Sequence, residues 1–143
     1  MTVSELTVGE FLAALGERTP APASGAATAL TGAFAARLVE LAARFAKDDA
    51  AVSRAQALSK RLTQLADEDA VAYTVFMETR TDEARRRTIE VPEEIAANAE
   101  EVERLAGQVG AQLTSSVAGD AEAAAELARA AARVARRLAE LNA

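Results

Sequence analysis

The chain of 143 residues contains no cysteine, no histidine and no tryptophan, and only 3% of it is aromatic. Each absence removes a class of chemistry. Without cysteine there is no disulfide scaffold, no thiolate zinc site and no cysteine nucleophile, and without histidine there is no Ser-His-Asp relay. Lysine is scarce too: Lys47 and Lys60 stand alone, and neither falls where burial would pull an ammonium towards neutrality. Proton transfer near neutral pH is left to a carboxylate or to Tyr73, and a hard-cation site built from carboxylates has no motif behind it. The shortage of aromatic residues argues against sheets. A formal net charge of -6 disfavours a nucleic-acid partner. The most basic run, Arg85-Arg86-Arg87, is flanked by Asp82, Glu83 and Glu90 and reads as a solvated helix face. The N-terminal MTVSELTVGEF has neither a basic region nor a continuous apolar stretch, so no signal peptide is expected. No window is expected to span a membrane, because threonines and the charges from Arg37 interrupt the one candidate. The expectation is a cytoplasmic protein with no nucleic-acid and no membrane partner.

What the chain does have is alanine, its commonest residue, within a composition that is 50% hydrophobic. That balance favours closely packed helices, and the length suits one domain, residues 1–143. The expected fold is all-α, a bundle of about five helices. From Thr19 to Ala36 no charged side chain occurs, and then Arg37, Glu40, Arg44 and Lys47 arrive at helical spacing. This predicts a long central helix, about Ser24 to Lys47, capped by Ser24 and buried all round at its start. Leu30, Phe34, Leu38, Leu41 and Phe45 would carry its apolar stripe outward. A Pro20-Ala21-Pro22 turn precedes it, and the free N–H groups at its start suit an anion or a polar ligand. Before that turn, about Ser4 to Leu15 forms a short amphipathic helix with Leu6, Phe11, Leu12 and Leu15 inward.

A third helix, about Ala50 to Arg80, follows the capping pair Asp48 and Asp49. Ala55, Leu58, Leu62, Leu65, Asp69, Ala72 and Phe76 recur along it at steps of three and four, the seam of a helix packed on helices. Asp69 is the one carboxylate on that seam; Asp67 and Glu68 fall off it and are expected in water. A carboxylate among apolar neighbours needs a partner or holds its proton to higher pH, and either state suits a group that gives and takes protons. The competing reading pairs Asp69 with an arginine or uses it as a cap. Tyr73, one turn on, either shares a pocket with Asp69 or is a core-edge group. After one or two turns beyond Arg80, Val91-Pro92-Glu93-Glu94 is expected to open a fourth helix with Ile95, Val102, Leu105, Val109 and Leu113 inward. The polar break Thr114 to Gly119 ends it, and Asp120 opens a final helix to about Leu141 with Leu127, Ala131, Val134, Leu138 and Leu141 inward.

Phe11-Leu12-Ala13-Ala14-Leu15, Thr19-Pro20-Ala21-Pro22, Ala29 to Leu38, Leu65 to Tyr73, Val91-Pro92, Asp120 and Asn142 occur in an order that resembles the cyclodeaminase domain of formiminotransferase-cyclodeaminase and the related methenyltetrahydrofolate cyclohydrolases. The resemblance implies a homodimeric, all-helical protein of one-carbon metabolism that acts on a reduced folate without a metal or separate cofactor. It places the family's functional aspartate on Asp69, as general acid/base. It also implies substrate-binding roles for Pro22, Ser24, Gly25, Tyr73, Ser116, Asp120 and Asn142. The chain departs from the family pattern in three places. Ala23-Ser24-Gly25-Ala26 stands where the family has three glycines and a serine, Thr114 stands where an asparagine is usual, and the segment from Arg80 to Val91 is short. Those departures motivate an alternative, an inactive helical dimer that binds a small anion or serves as an interaction module. A purely structural bundle is the remaining reading.

Overall fold

The protein is described here by a computed structural model covering residues 2–143. A 3-10 turn, Val3–Glu5, precedes five helices: α1 (Val8–Leu15), α2 (Ser24–Phe45), α3 (Asp49–Thr79), α4 (Asp82–Gly110) and α5 (Ala118–Asn142). No strand occurs among the described residues, so the fold is all-α as composition required. The buried central element is α2, packed against α3, α4 and α5, and it ends at Phe45 rather than at Lys47. Lys47 turns the chain in the left-handed region at φ 56°.

Asp48 caps α3 as the sequence suggested, accepting from the Ala51 N–H at 3.1 Å. Ser24, by contrast, does not cap α2. It is the first helical residue, Ala23 holds the cap position, and no side chain closes that end.

The buried faces of α2 and α5 are made almost wholly of small residues, most of them alanine. On α2 the buried residues are Gly25, Ala26, Thr28, Ala29, Gly32, Ala33, Ala35, Ala36, Val39, Ala42 and Ala43, and on α5 Ala121, Ala124, Ala128, Ala131, Ala132, Ala135 and Ala139. Small residues let helix backbones approach closely, and a larger side chain on those faces would hold the helices apart. Leu30, Leu38 and Phe11 pack against the core as expected, but several large apolar residues expected inward are displaced to the perimeter. Phe34, Leu41 and Phe45 of α2, Leu127, Val134 and Leu141 of α5, and Leu12 of α1 are all exposed. The larger core volumes come from Leu58, Leu62 and Leu65 of α3 and Ile95, Val102 and Val109 of α4, where the seam prediction holds. By length and composition α2 is apolar enough to cross a membrane, contrary to the sequence expectation, but 56% of that window is buried inside the bundle.

The expected break at Val91-Pro92 does not occur. One helix, α4, runs from Asp82 through Pro92, with Thr81 as its cap accepting from the Ala84 N–H at 3.1 Å. Proline in a helix interior leaves the carbonyl four residues back without its donor. That carbonyl belongs to Thr88, and the Asn142 side-chain amide of α5 donates to it at 2.9 Å. Likewise α5 begins at Ala118, ahead of Asp120.

Two acids expected in water are engaged instead. Asp67 accepts from the backbone N–H and the hydroxyl of Ser4, at 2.8 and 2.6 Å, and so ties the N-terminal turn to α3. Glu68 bridges Arg61 at 2.7 Å and Arg87 at 2.9 Å, and joins α3 to α4.

Candidate active site

The site follows from how α2 and α3 are registered. The two run antiparallel: Glu40 meets Gln56 at 2.8 Å, the Ser59 hydroxyl donates to the Ala33 carbonyl at 3.2 Å, and Gly32 faces Leu62. Continuing the same register brings Gly25, in the first turn of α2, against Asp69. Beyond that point α2 has ended, while α3 continues to Thr79 and so projects about 14 Å past it. The α3 seam thus divides. Up to Leu65 it is buried against α2, at Asp69 it reaches the end of that neighbour, and from Tyr73 onward it opens.

Gly25 is glycine for a steric reason. A Cβ built there would overlap the Asp69 carboxylate, whose oxygens occupy the space a side chain would take. Asp69 is half-buried, and no described group donates a hydrogen bond to it. Desolvation therefore acts unopposed and raises its carboxyl to about 6 from an ordinary 3.8. The group is neutral or charged with little cost either way near neutral pH, which is what proton shuttling requires.

A cavity of about 400 Å³, lined by Pro22, Ala70, Val71 and Thr74 among others, lies on one flank of this point. Another of about 310 Å³ is lined by Tyr73, Phe76, Arg80, Arg85 and Asn142 among others. Pro22, Gly25, Asp69 and Tyr73 thus belong to one end of the bundle, although Asp69 lines neither cavity itself. Ser24 is exposed beside them, and its carbonyl accepts from the Thr28 hydroxyl at 2.6 Å. Asn142 lies at this end too, with its amide committed to Thr88.

Ser116 and Asp120 lie elsewhere. Ser116 is in the α4–α5 turn and Asp120 in the first turn of α5. That turn sits beside Asp48, to which Gln112 donates at 3.0 Å. Asp48 and Asp69 are separated by most of α3, about 30 Å, so one chain does not bring Ser116 and Asp120 to Asp69. No group of three or more acids able to hold a metal ion occurs among the described residues.

Phe76, Arg80 and Arg85, which gather at this end of the bundle, were not singled out by the sequence. The signal was present in the spacing, since Arg80 lies eleven residues after Asp69 and on the same helix face. The Asn142–Thr88 bond was also readable in principle, because a proline inside a helix announces an orphaned carbonyl four residues earlier.

The model of the formiminotransferase-cyclodeaminase family matches residues 7–143 of the chain. A solved formiminotetrahydrofolate cyclodeaminase from Thermotoga maritima shares the fold with a TM-score of 0.92 at 22% sequence identity, over 98% of this chain and 79% of that one. No curated protein matches the sequence. With the family's pattern spanning every helix that builds the Asp69 end, the chain belongs to the formiminotransferase-cyclodeaminase family.

Proposed function

We propose that this protein closes or opens the one-carbon ring of a tetrahydrofolate, as a formimino-tetrahydrofolate cyclodeaminase or a methenyl-tetrahydrofolate cyclohydrolase, with Asp69 as general acid/base. The observation that carries this reading is an unpartnered carboxylate, set against a glycine at the mouth of the bundle and shifted to about 6 by burial. In cyclodeamination the folate's anilino nitrogen attacks the protonated formimino carbon. Asp69 accepts the proton that this nitrogen sheds and returns it to the amino group. Ammonia then leaves as the second carbon–nitrogen bond of the methenyl ring takes up the positive charge. In ring opening, water adds to the methenyl carbon, Asp69 takes the proton that water sheds, and the proton passes to the anilino nitrogen as its carbon–nitrogen bond breaks and leaves a formyl group. No metal or separate cofactor enters either sequence.

The test is turnover of formimino- and methenyl-tetrahydrofolate by the purified protein, followed by absorbance. Asp69→Asn keeps the shape and removes the exchangeable proton, so the rate should fall by about two orders of magnitude or more. Absence of turnover in the unaltered protein, or an unchanged rate in the variant, overturns the reading.

A homodimer is part of the same proposal. Phe34, Leu41 and Phe45 on α2 lie exposed, with Leu127 and Val134 exposed on the neighbouring α5, and a two-fold contact is the commonest cover for such stripes. Two α2 helices paired antiparallel would carry the Ser116–Asp120 end of one protomer towards the Asp69 end of the other. Light scattering decides it, and a monomer at micromolar concentration counts against it. The inactive-module reading rests on the departures from the family pattern around Ser24 and between Arg80 and Val91, and is favoured further by the distance of Ser116 and Asp120 from Asp69 within one chain. It predicts that folates do not raise the melting temperature.

A further inference from the structure

The projecting part of α3 carries a second chemical feature. Asp69, Tyr73, Phe76 and Arg80 are spaced by four, three and four residues, and so line one face of the helix. The face runs from the carboxylate, past the phenol and the phenyl ring, to a guanidinium about 16 Å away along the helix. Arg80 ends α3 in the left-handed region at φ 54°, with its N–H donating to the Phe76 carbonyl at 2.9 Å. Its guanidinium lies over the Phe76 ring, 5.3 Å from the centroid. Arg85 reaches the same ring from α4, at 5.7 Å. Both arginines line the cavity of about 310 Å³.

Two like charges gathered on one ring repel each other unless an anion lies between them. Of the other arginines on α3 and α4, Arg61 meets Glu68 and Glu94, Arg87 meets Glu68 and Glu90, Arg54 and Arg104 meet Glu101, and Arg86 meets no carboxylate among the described residues but lies over no ring. Among the described residues Arg80 and Arg85 meet no carboxylate. Ala143 lines the same cavity without forming an ion pair with either. In a protein of net charge -6, two unmatched guanidiniums sharing an aromatic floor form a receptor for a carboxylate-bearing group.

We propose that Arg80 and Arg85, over the Phe76 ring, anchor the glutamate carboxylates of the folate whose one-carbon centre lies at Asp69. This rests on the folate reading above and adds to it the orientation of the substrate along α3. The reacting ring system is held at Gly25 and Asp69, the aromatic linker passes Tyr73, and the acidic tail ends at the two arginines. Arg80 and Arg85 act on the tail alone, so they set affinity and orientation rather than chemistry.

The experiment measures KM and kcat for two substrates, formimino-tetrahydrofolate and its pteroate analogue. The analogue has the same reacting nitrogens but ends in a ring carboxylate without glutamate. In Arg80→Gln/Arg85→Gln, KM for the folate should rise about tenfold or more per guanidinium removed. KM for the pteroate should change much less and kcat little. Arg80→Lys/Arg85→Lys should restore part of the lost affinity, which a merely misfolded variant would not, and circular dichroism checks that helicity is kept. If the unaltered protein turns over the folate and the glutamine variant keeps its KM, the tail assignment is wrong while the folate reading stands. If the unaltered protein turns over and binds neither compound, both fall together.

Discussion

The interface between α2 and α3 holds a half-buried carboxylate at each end, and the two ends treat it oppositely. At the end near the α2–α3 turn, Glu40 accepts from Arg37 at 2.8 Å, Arg44 at 2.7 Å and Gln56 at 2.8 Å. Those donors hold its carboxyl down at about 2. At the other end Asp69 has no donor, and burial drives it up to about 6. The same helices, in one continuous register, thus supply a saturated acid and a starved one. The fold can satisfy a carboxylate in this interface, so the lack of a partner at Asp69 is a property of that end and not of the architecture. Structure alone calls for the first arrangement; an acid that must exchange its proton calls for the second.

The largest effect that would break this contrast is expected at Asp69. Its native state keeps the proton over a range in which the unfolded chain has lost it. Stability from the neutral acid is therefore complete below the ordinary carboxylate range and is lost as pH rises from 3.8 to about 6. The loss is at most about 3 kcal/mol. Asp69→Asn should be the more stable protein at pH 8 by up to that amount, with the gap closing at pH 4, as read from denaturant melts at both pH values. A gap that ignores pH would mean that Asp69 finds a donor in solution.

Next in size is Gly25→Ala, whose new methyl meets the Asp69 carboxylate and should cost about 2 kcal/mol. In an Asp69→Ala background the methyl has room, and the cost should vanish or turn to a small gain, since alanine is the better helix former. A double-mutant cycle measures that coupling.

At the opposite end, Glu40→Gln should cost about 1 kcal/mol at pH 7. Arg37 and Arg44 are more than half exposed, at 55% and 58%, so water screens most of the attraction. Because folding lowers this carboxyl from 4.5, the contribution is present above that value and disappears as pH falls to about 2. The variant and the parent should melt alike near pH 2. Smallest of all, Lys47→Gly relieves a left-handed lysine just past α2 and should stabilise by about 0.5 kcal/mol, visible as a slight rise in melting temperature.

How much of this was legible without coordinates varies with the physics involved. Asp69 was isolated by spacing alone, because a seam of leucines and alanines makes any charge on it conspicuous. The existence of four long helices followed from alanine and from periodicity. The inward faces of α2 and α5 were misread at Phe34, Leu41, Phe45, Leu127, Val134 and Leu141, though not at Leu30, Leu38 or Ala131, because size was taken as a guide to burial. Between closely approaching helices the smaller side chain goes inside, which places Ala33 within and Phe34 without. The boundary at Pro92 was misread because a local breaker was outweighed by a distant donor, the Asn142 amide. Arg80 and Arg85 escaped notice because what sets them apart is that they meet over one ring, that of Phe76, from two helices, and a sequence does not state what stands across a groove.

The methyl-lined faces of α2 and α5 make this molecule's tolerance of mutation one-sided. A position already reduced to alanine has almost nothing left to lose, so drift there can act only by adding bulk, and added bulk pries helices apart. Truncation can do serious harm mainly along the few leucines, valines and isoleucine of α3 and α4, and at Val39 of α2. A library of random variants should therefore divide by helix, with α2 and α5 vetoing enlargement and α3 and α4 vetoing loss.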